Sequence, residues 1–261
     1  MEVLALYAAL GIGAGLLSGM LGVGGGQVVV PGLLYLFHRK GFAPESAMHL
    51  ALGTSLATIV VTSLSSARAH HRRGSLDLRI VRRLLPGIVV GAVVGGLMSG
   101  LFSAQVLRIA FGVFLLLLAL KMALSLKPAP QRSLPGAPGL DATAGAIGWT
   151  SAIVGVGGGS MVVPFLVWCN VNVKTAVGTA SACGVPLALA GTVGFLVAGW
   201  GRADLPAYSL GYVYGPAWLA ISACSLLATP IGAMVSHRLP VDTLKRAFSV
   251  FLAIAGVRIL L

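Results

Sequence analysis

The chain has 261 residues, of which 57% are hydrophobic and only 9% charged, far below the roughly one-quarter charged content of a soluble domain. That balance excludes an ordinary water-soluble domain and predicts an all-α polytopic membrane protein. The net charge of +12 is concentrated where Arg68, Arg72, Arg73, Arg79, Arg82 and Arg83 crowd one connection between apolar runs, which is the pattern of a cytoplasmic loop and not of a nucleic-acid surface.

Eight apolar segments follow in chain order, at 3–37, 46–66, 84–102, 104–126, 140–169, 175–199, 207–236 and 240–261. The first carries Gly22-Val23-Gly24-Gly25-Gly26-Gln27-Val28-Val29-Val30-Pro31 and the fifth carries Gly155-Val156-Gly157-Gly158-Gly159-Ser160-Met161-Val162-Val163-Pro164. Three consecutive glycines break a helix and the proline removes a backbone donor. The backbone is therefore expected to open twice at membrane depth, where unpaired backbone groups are costly. A straight helix from Val3 to Phe37 would run about 50 Å, too long for one crossing, whereas Gln27 to Phe37 suits a half-helix of roughly 16 Å.

The duplication continues beyond the motif. Gly53-Thr54-Ser55 matches Gly178-Thr179-Ala180, His49 matches Lys174, Gly74 and Asp77 match Gly201 and Asp204, and Gly91-Ala92 matches Gly232-Ala233. The Pro/Gly-rich stretch 127–139 divides the copies, so we expect an N-terminal transmembrane repeat at 1–126, a cytoplasmic linker at 127–139 and a C-terminal transmembrane repeat at 140–261. If each broken segment is a re-entrant hairpin followed by three transmembrane helices, each half crosses an odd number of times. The Arg68–Arg83 connection, the linker and the His237/Arg238 loop then all lie inside. Only Arg39 and Lys40 dissent. The expected architecture is thus two inverted-topology repeats. The N-terminus lacks the basic region of a cleavable signal peptide, so the first segment is expected to be retained.

An opened helix start leaves free N–H groups beside the positive end of a helix dipole, and together these attract an anion without a charged side chain. Candidate binding groups are Gly24, Gly25, Gly26 and Gln27 in the first copy and Gly157, Gly158, Gly159 and Ser160 in the second. Gln27 and Ser160 either cap their helices or add a hydrogen bond to the ligand. Thr54, Ser55, Thr179 and Ser181 either bond carbonyls of their own helix or serve as donors. His49 and Lys174 either snorkel to headgroups or act at the entrances or in coupling. Gly11, Gly15 and Gly19, like Gly87, Gly91 and Gly95, recur every fourth residue as helix-packing ridges.

All six acids fall at segment ends or in connections, whereas cation pathways place carboxylates at depth. An anion is the expected substrate. Cys169, Cys183 and Cys224 are too widely spaced for a zinc site and read as packing residues. No nucleophile–base pair stands at membrane depth, so no enzyme, metal or cofactor is expected.

The duplicated Gly-Val-Gly-Gly-Gly with its following proline, the Gly-Thr-Ser/Ala elements at Gly53–Ser55 and Gly178–Ala180, and the Arg-rich connection ending in Gly74 and Asp77 resemble the TauE/SafE family of sulfite exporters over essentially the whole chain. The resemblance implies a multi-pass protein of the bacterial cytoplasmic membrane that exports sulfite or a related sulfur-containing oxyanion or organosulfonate. The implied partners are that small anion and membrane lipid, with no nucleic acid. Alternating access between the half-helix ends is the expected mechanism, with a passive small-anion channel as the alternative.

Overall fold

The computed structural model describes residues 2–21, 25–124, 134–235 and 241–261. Its helices are α1 (Glu2–Leu21), α2 (Gly26–Arg39), α3 (Pro44–Arg72), α4 (Leu78–Met98), α5 (Ala104–Ala123), α6 (Ala137–Ile153), α7 (Gly159–Trp168), α8 (Val173–Ala198), α9 (Gly215–Val235) and α10 (Val241–Leu260). Among the described residues, six helices are long and apolar enough to cross a bilayer. The chain is an all-α, multi-pass integral membrane protein.

Both glycine motifs break their segments as the sequence predicts. The two arms of the first break differ in length, because α1 has 20 residues and α2 only 14. The Arg-rich stretch departs from the expected loop. Arg68 and Arg72 lie in α3, and Arg79, Arg82 and Arg83 in α4. Arginine is a good helix former whose long stem lies along apolar surface, so helix continues past the point where the apolar run ends. Asp77 then starts α4, its carboxylate accepting from the amides of Arg79 at 2.8 Å and Ile80 at 3.3 Å. The 207–236 segment also differs. It begins with a short β-hairpin, β1 (Ser209–Leu210) and β2 (Val213–Tyr214), because Tyr212, Val213 and Tyr214 favour strand and Gly211 turns the chain at φ +49°.

Packing exchanges the two halves. Helix α1 lies along α9, and α6 lies in the matching way along α4. The glycine ridges make both contacts. A Cβ at Gly11 or Gly15 would stand 2.7 Å from the carbonyl oxygens of Ile221 and Ser225, and one at Gly95 would stand 2.6 Å from that of Trp149. The close approach that glycine permits is thus what seats each helix on its neighbour.

The central pair, α3 and α8, runs antiparallel: Leu56 meets Gly191, Ser63 meets Gly184 and Ser66 meets Ser181. Helices α5 and α10 are likewise antiparallel, with Gly112 against Leu260 and Gly256 against Leu116. Reciprocal bonds tie the halves together. The Thr54 hydroxyl accepts from the Tyr214 amide at 2.9 Å, and the Thr179 hydroxyl accepts from the Asp77 amide at 3.2 Å. Gly74 and Gly201 hold the same left-handed backbone, at φ +65° and +73°.

Candidate functional site

The second opening starts where α6 stops. Gly155 adopts φ +64°, its amide donates to Ala152 and the Val156 amide donates to Ser151, a Schellman ending that closes α6 and turns the chain back. Helix α7 then begins at Gly159. Its first intrahelical bonds come from the amides of Met161 and Val162 to the Gly158 carbonyl. Among the described residues, the amides of Gly157, Gly158, Gly159 and Ser160 meet no acceptor. The Ser160 hydroxyl donates back to the Gly157 carbonyl at 3.2 Å.

In the first opening, Gly24 lies outside the described residues. Gly25 precedes α2, and its carbonyl accepts from Val28 and Val29. Gly26 sits in a tight place, where a Cβ would stand 2.7 Å from the Gly155 carbonyl oxygen and 3.1 Å from the Ser55 hydroxyl. The first opening therefore touches the second motif. Gln27 is fully buried, and neither atom of its amide has a partner among the described residues. A buried, unpaired amide is costly, which marks it as a group held for something other than packing.

The two short helices run away from each other. Helix α2 begins beside Ser55 and Ile59 and heads toward the start of α3, ending where the Lys40 ammonium donates to the Tyr214 hydroxyl at 2.9 Å. Helix α7 begins beside Ser63 and Ser66 and heads toward the other end of α3. Both amino ends consequently point at the stretch of α3 between Ser55 and Ser66.

A small cavity of about 10 Å³ lies there, lined by Ser18, Ser63, Ser66, Gly157, Gly159, Ala180 and Ser181. That is space for about one water. Ser18 and Ser63 are only 5% and 8% exposed, and among the described residues their hydroxyls have no partner. The Ser66 hydroxyl donates to Ser181 at 3.1 Å, and that of Ser181 donates to the Val177 carbonyl at 2.9 Å. No charged side chain lines the cavity.

Sequence reasoning missed Ser18, Ser63 and Ser66. The available signal was small polar residues recurring at helical spacing, as in Ser63 and Ser66, on a segment whose apolar neighbours are buried. Thr54 and Thr179 are engaged by the amides described above, and Ser55 donates to the Gly155 carbonyl at 2.9 Å. His49 and Lys174 part company. Lys174 is exposed at the start of α8, whereas His49 is 4% exposed. The His49 Nε2 lies 3.1 Å from the carbonyls of both Ser99 and Phe102, Nδ1 lies 3.1 Å from that of Glu45, and the ring stacks on Tyr212. A second, larger cavity of about 620 Å³, bordered by His38, Glu45, Gln105, Arg108 and Arg258, opens at the end where α2 finishes. Among the described residues, no group of three His, Cys, Asp or Glu could hold a metal ion.

The α7 start, whose amides meet no acceptor among the described residues, and the α2 start beside Ser55 thus both face the buried, hydroxyl-bearing stretch of α3. A sequence profile described as sulfite exporter TauE/SafE matches residues 7–259. The chain belongs to the TauE/SafE family. Among curated relatives, this TauE/SafE protein is 38% identical to a probable membrane transporter protein of Haemophilus influenzae, over 95% of this chain and 94% of the relative. It is 26% identical to the probable membrane transporter protein MJ0441 of Methanocaldococcus jannaschii, over 99% and 96%. It is 25% identical to the probable membrane transporter protein YunE of Bacillus subtilis, over 96% and 95%. The chain is thus a TauE/SafE membrane transporter.

Proposed function

We propose that this transporter is a carrier that exports sulfite or a closely related small sulfur oxyanion, bound between the opposed amino ends of α2 and α7. The observation that carries the reading is the set of unaccepted amides at Gly157–Ser160, of which Gly157 and Gly159 line one cavity with the unpartnered hydroxyls of Ser18 and Ser63. Each amino end contributes roughly half a positive charge, and the fully buried Gln27 amide supplies a further donor from the first opening. Sulfite and the outward direction rest on the family's name.

The carrier reading assigns residues 1–126 and 140–261 to two inverted repeats joined by 127–139. Support comes from the antiparallel courses of the matched pairs α3/α8 and α5/α10, which require a relating axis perpendicular to the helices. With a cavity of about 10 Å³, the anion needs the turn at Gly155–Gly159 to part from α3 and α8. Rocking of one half against the other through the glycine-seated contacts of α1/α9 and α4/α6 would do this and expose the site alternately. Arg108 and Arg258 beside the large cavity provide a positive field at one mouth.

The test is flux of labelled sulfite in vesicles containing the purified protein, with unlabelled sulfite, sulfate or thiosulfate on the far side. The carrier reading predicts saturable uptake that is accelerated by sulfite in trans. Flux that rises linearly with concentration and ignores the trans side would mean a passive channel.

A further inference from the structure

Resting on that anion site, we propose that the ion carried is a singly charged oxyanion that still bears a proton, the hydrogen form, and that this proton crosses with it.

Charge favours a monoanion at this cavity. Desolvation cost grows with the square of the charge, and every polar group around the cavity is neutral. The undescribed residues Gly22, Val23 and Gly24 carry no charge either. The α7 amino end at the cavity supplies about half a positive charge, and the α2 amino end beside Ser55 at most about as much again. Together they balance at most one negative charge and leave a dianion at least half unpaid.

Hydrogen-bond direction favours an ion that still bears a proton. The Val177 carbonyl can only accept, so Ser181 spends its proton there and Ser66 must donate to Ser181. Both serine oxygens then offer only lone pairs to the cavity. Gly157 and Gly159, which also line the cavity, bring amide protons that meet no acceptor among the described residues. A bare oxyanion has no proton for the serine oxygens and is repelled by them. An ion that bears both O⁻ and O–H satisfies both sets of groups, while the free hydroxyls of Ser18 and Ser63 turn either way.

The proton balance is simple. The dianion takes up one proton before loading, crosses as the hydrogen form, and releases the proton on dissociating at the far side. No membrane carboxylate is needed for the coupling, in keeping with the positions of all six acids.

The experiment measures initial sulfite flux in vesicles at fixed total sulfite over a range of pH, with protein-free vesicles subtracted and an internal pH dye recording protons. Sulfate, a dianion throughout, and methanesulfonate, a monoanion without a proton, serve as comparison ions. Sulfite flux should fall about tenfold per pH unit once pH exceeds the ion's second dissociation, and dye signal should accompany it. Sulfate should not be carried, and sulfite in its hydrogen form should outrun methanesulfonate. Ser66→Ala should narrow that last difference, since it removes an acceptor. Flux that follows the dianion, is flat with pH, or carries sulfate equally would overturn the inference while leaving the anion site standing. Absence of saturable flux for all three ions at every pH would overturn both.

Discussion

The Ser55 hydroxyl donates a 2.9 Å hydrogen bond to the Gly155 carbonyl. It joins the middle of α3, in the first half of the chain, to the residue whose left-handed backbone turns the second half back on itself. The carbonyl lies at the end of α6, where no helical donor follows. Ser55→Ala should therefore leave a buried acceptor unpaired and lower stability by about 1–3 kcal/mol. Thermal unfolding in detergent checks this against Thr143→Ala, which removes only a bond to the carbonyl of Gly139 in its own helix and should stay close to the parent.

Glycines in the two motifs and outside them should separate cleanly. A Cβ at Gly26 would strike the Gly155 backbone at 2.7 Å, one at Gly158 would find Val162 at an ordinary 3.4 Å, and one at Gly13 would meet nothing within 4 Å. Flux at matched expression should be severely reduced for Gly26→Ala, mildly for Gly158→Ala and not at all for Gly13→Ala. Equal flux in all three would show that the contact between the openings does not matter.

Much of this was legible in the sequence because the duplicated motif uses residues with few conformational alternatives. Three glycines and a proline disclose a helix break whatever surrounds them, and fourfold glycine spacing discloses a packing ridge. What escaped depends on tertiary partners. Thr54 and Thr179 read in the sequence as donors or as groups bonded to their own helix, but their hydroxyls accept from the amides of Tyr214 and Asp77, residues far away in the chain. His49 and Lys174 occupy matching positions, yet only His49 is buried, because the carbonyls of Ser99 and Phe102, in the connection between α4 and α5, fold over it. Ser18, Ser63 and Ser66 carry no motif at all, and only the crossing of α1, α3 and α8 gathers them.

One prediction concerns pH. The Arg202 side chain hydrogen-bonds Asp204 and holds its carboxyl below the usual carboxylate range, with Nε 3.0 Å from Oδ1. A lowered folded value means the pair stabilises the 199–214 connection above the ordinary carboxylate range and loses that contribution as pH falls through the folded value. Because both side chains are nearly half exposed, the effect should stay within the ~0–1 kcal/mol of surface pairs. Asp204→Asn should lower the melting temperature slightly at neutral pH and make no difference in strong acid. A larger loss in acid than at neutrality would contradict the sign.

The proposed inverted arrangement predicts labelling from opposite sides. Arg73 ends α3 at one end of the bundle, and Ala203 lies in the connection packed near the start of α3 at the other; both are exposed. In a protein whose Cys169, Cys183 and Cys224 are replaced by alanine, Arg73→Cys should react with an impermeant reagent from the cytoplasmic side and Ala203→Cys from the outside. Reaction of both from one side would reject the topology.

The proposed anion site lies where α7's free amides meet the hydroxyls of Ser18 and Ser63. The most direct measurement is sulfite binding to the purified protein in detergent, comparing the parent with Ser18→Ala, Ser63→Ala and the double variant, each first shown to melt near the parent's temperature. Removing one hydroxyl donor to a charged ligand costs about 1.5–3 kcal/mol, so each single variant should bind roughly ten- to hundredfold more weakly, and the double variant weaker still. Parent-like affinity in a well-folded double variant would contradict the account.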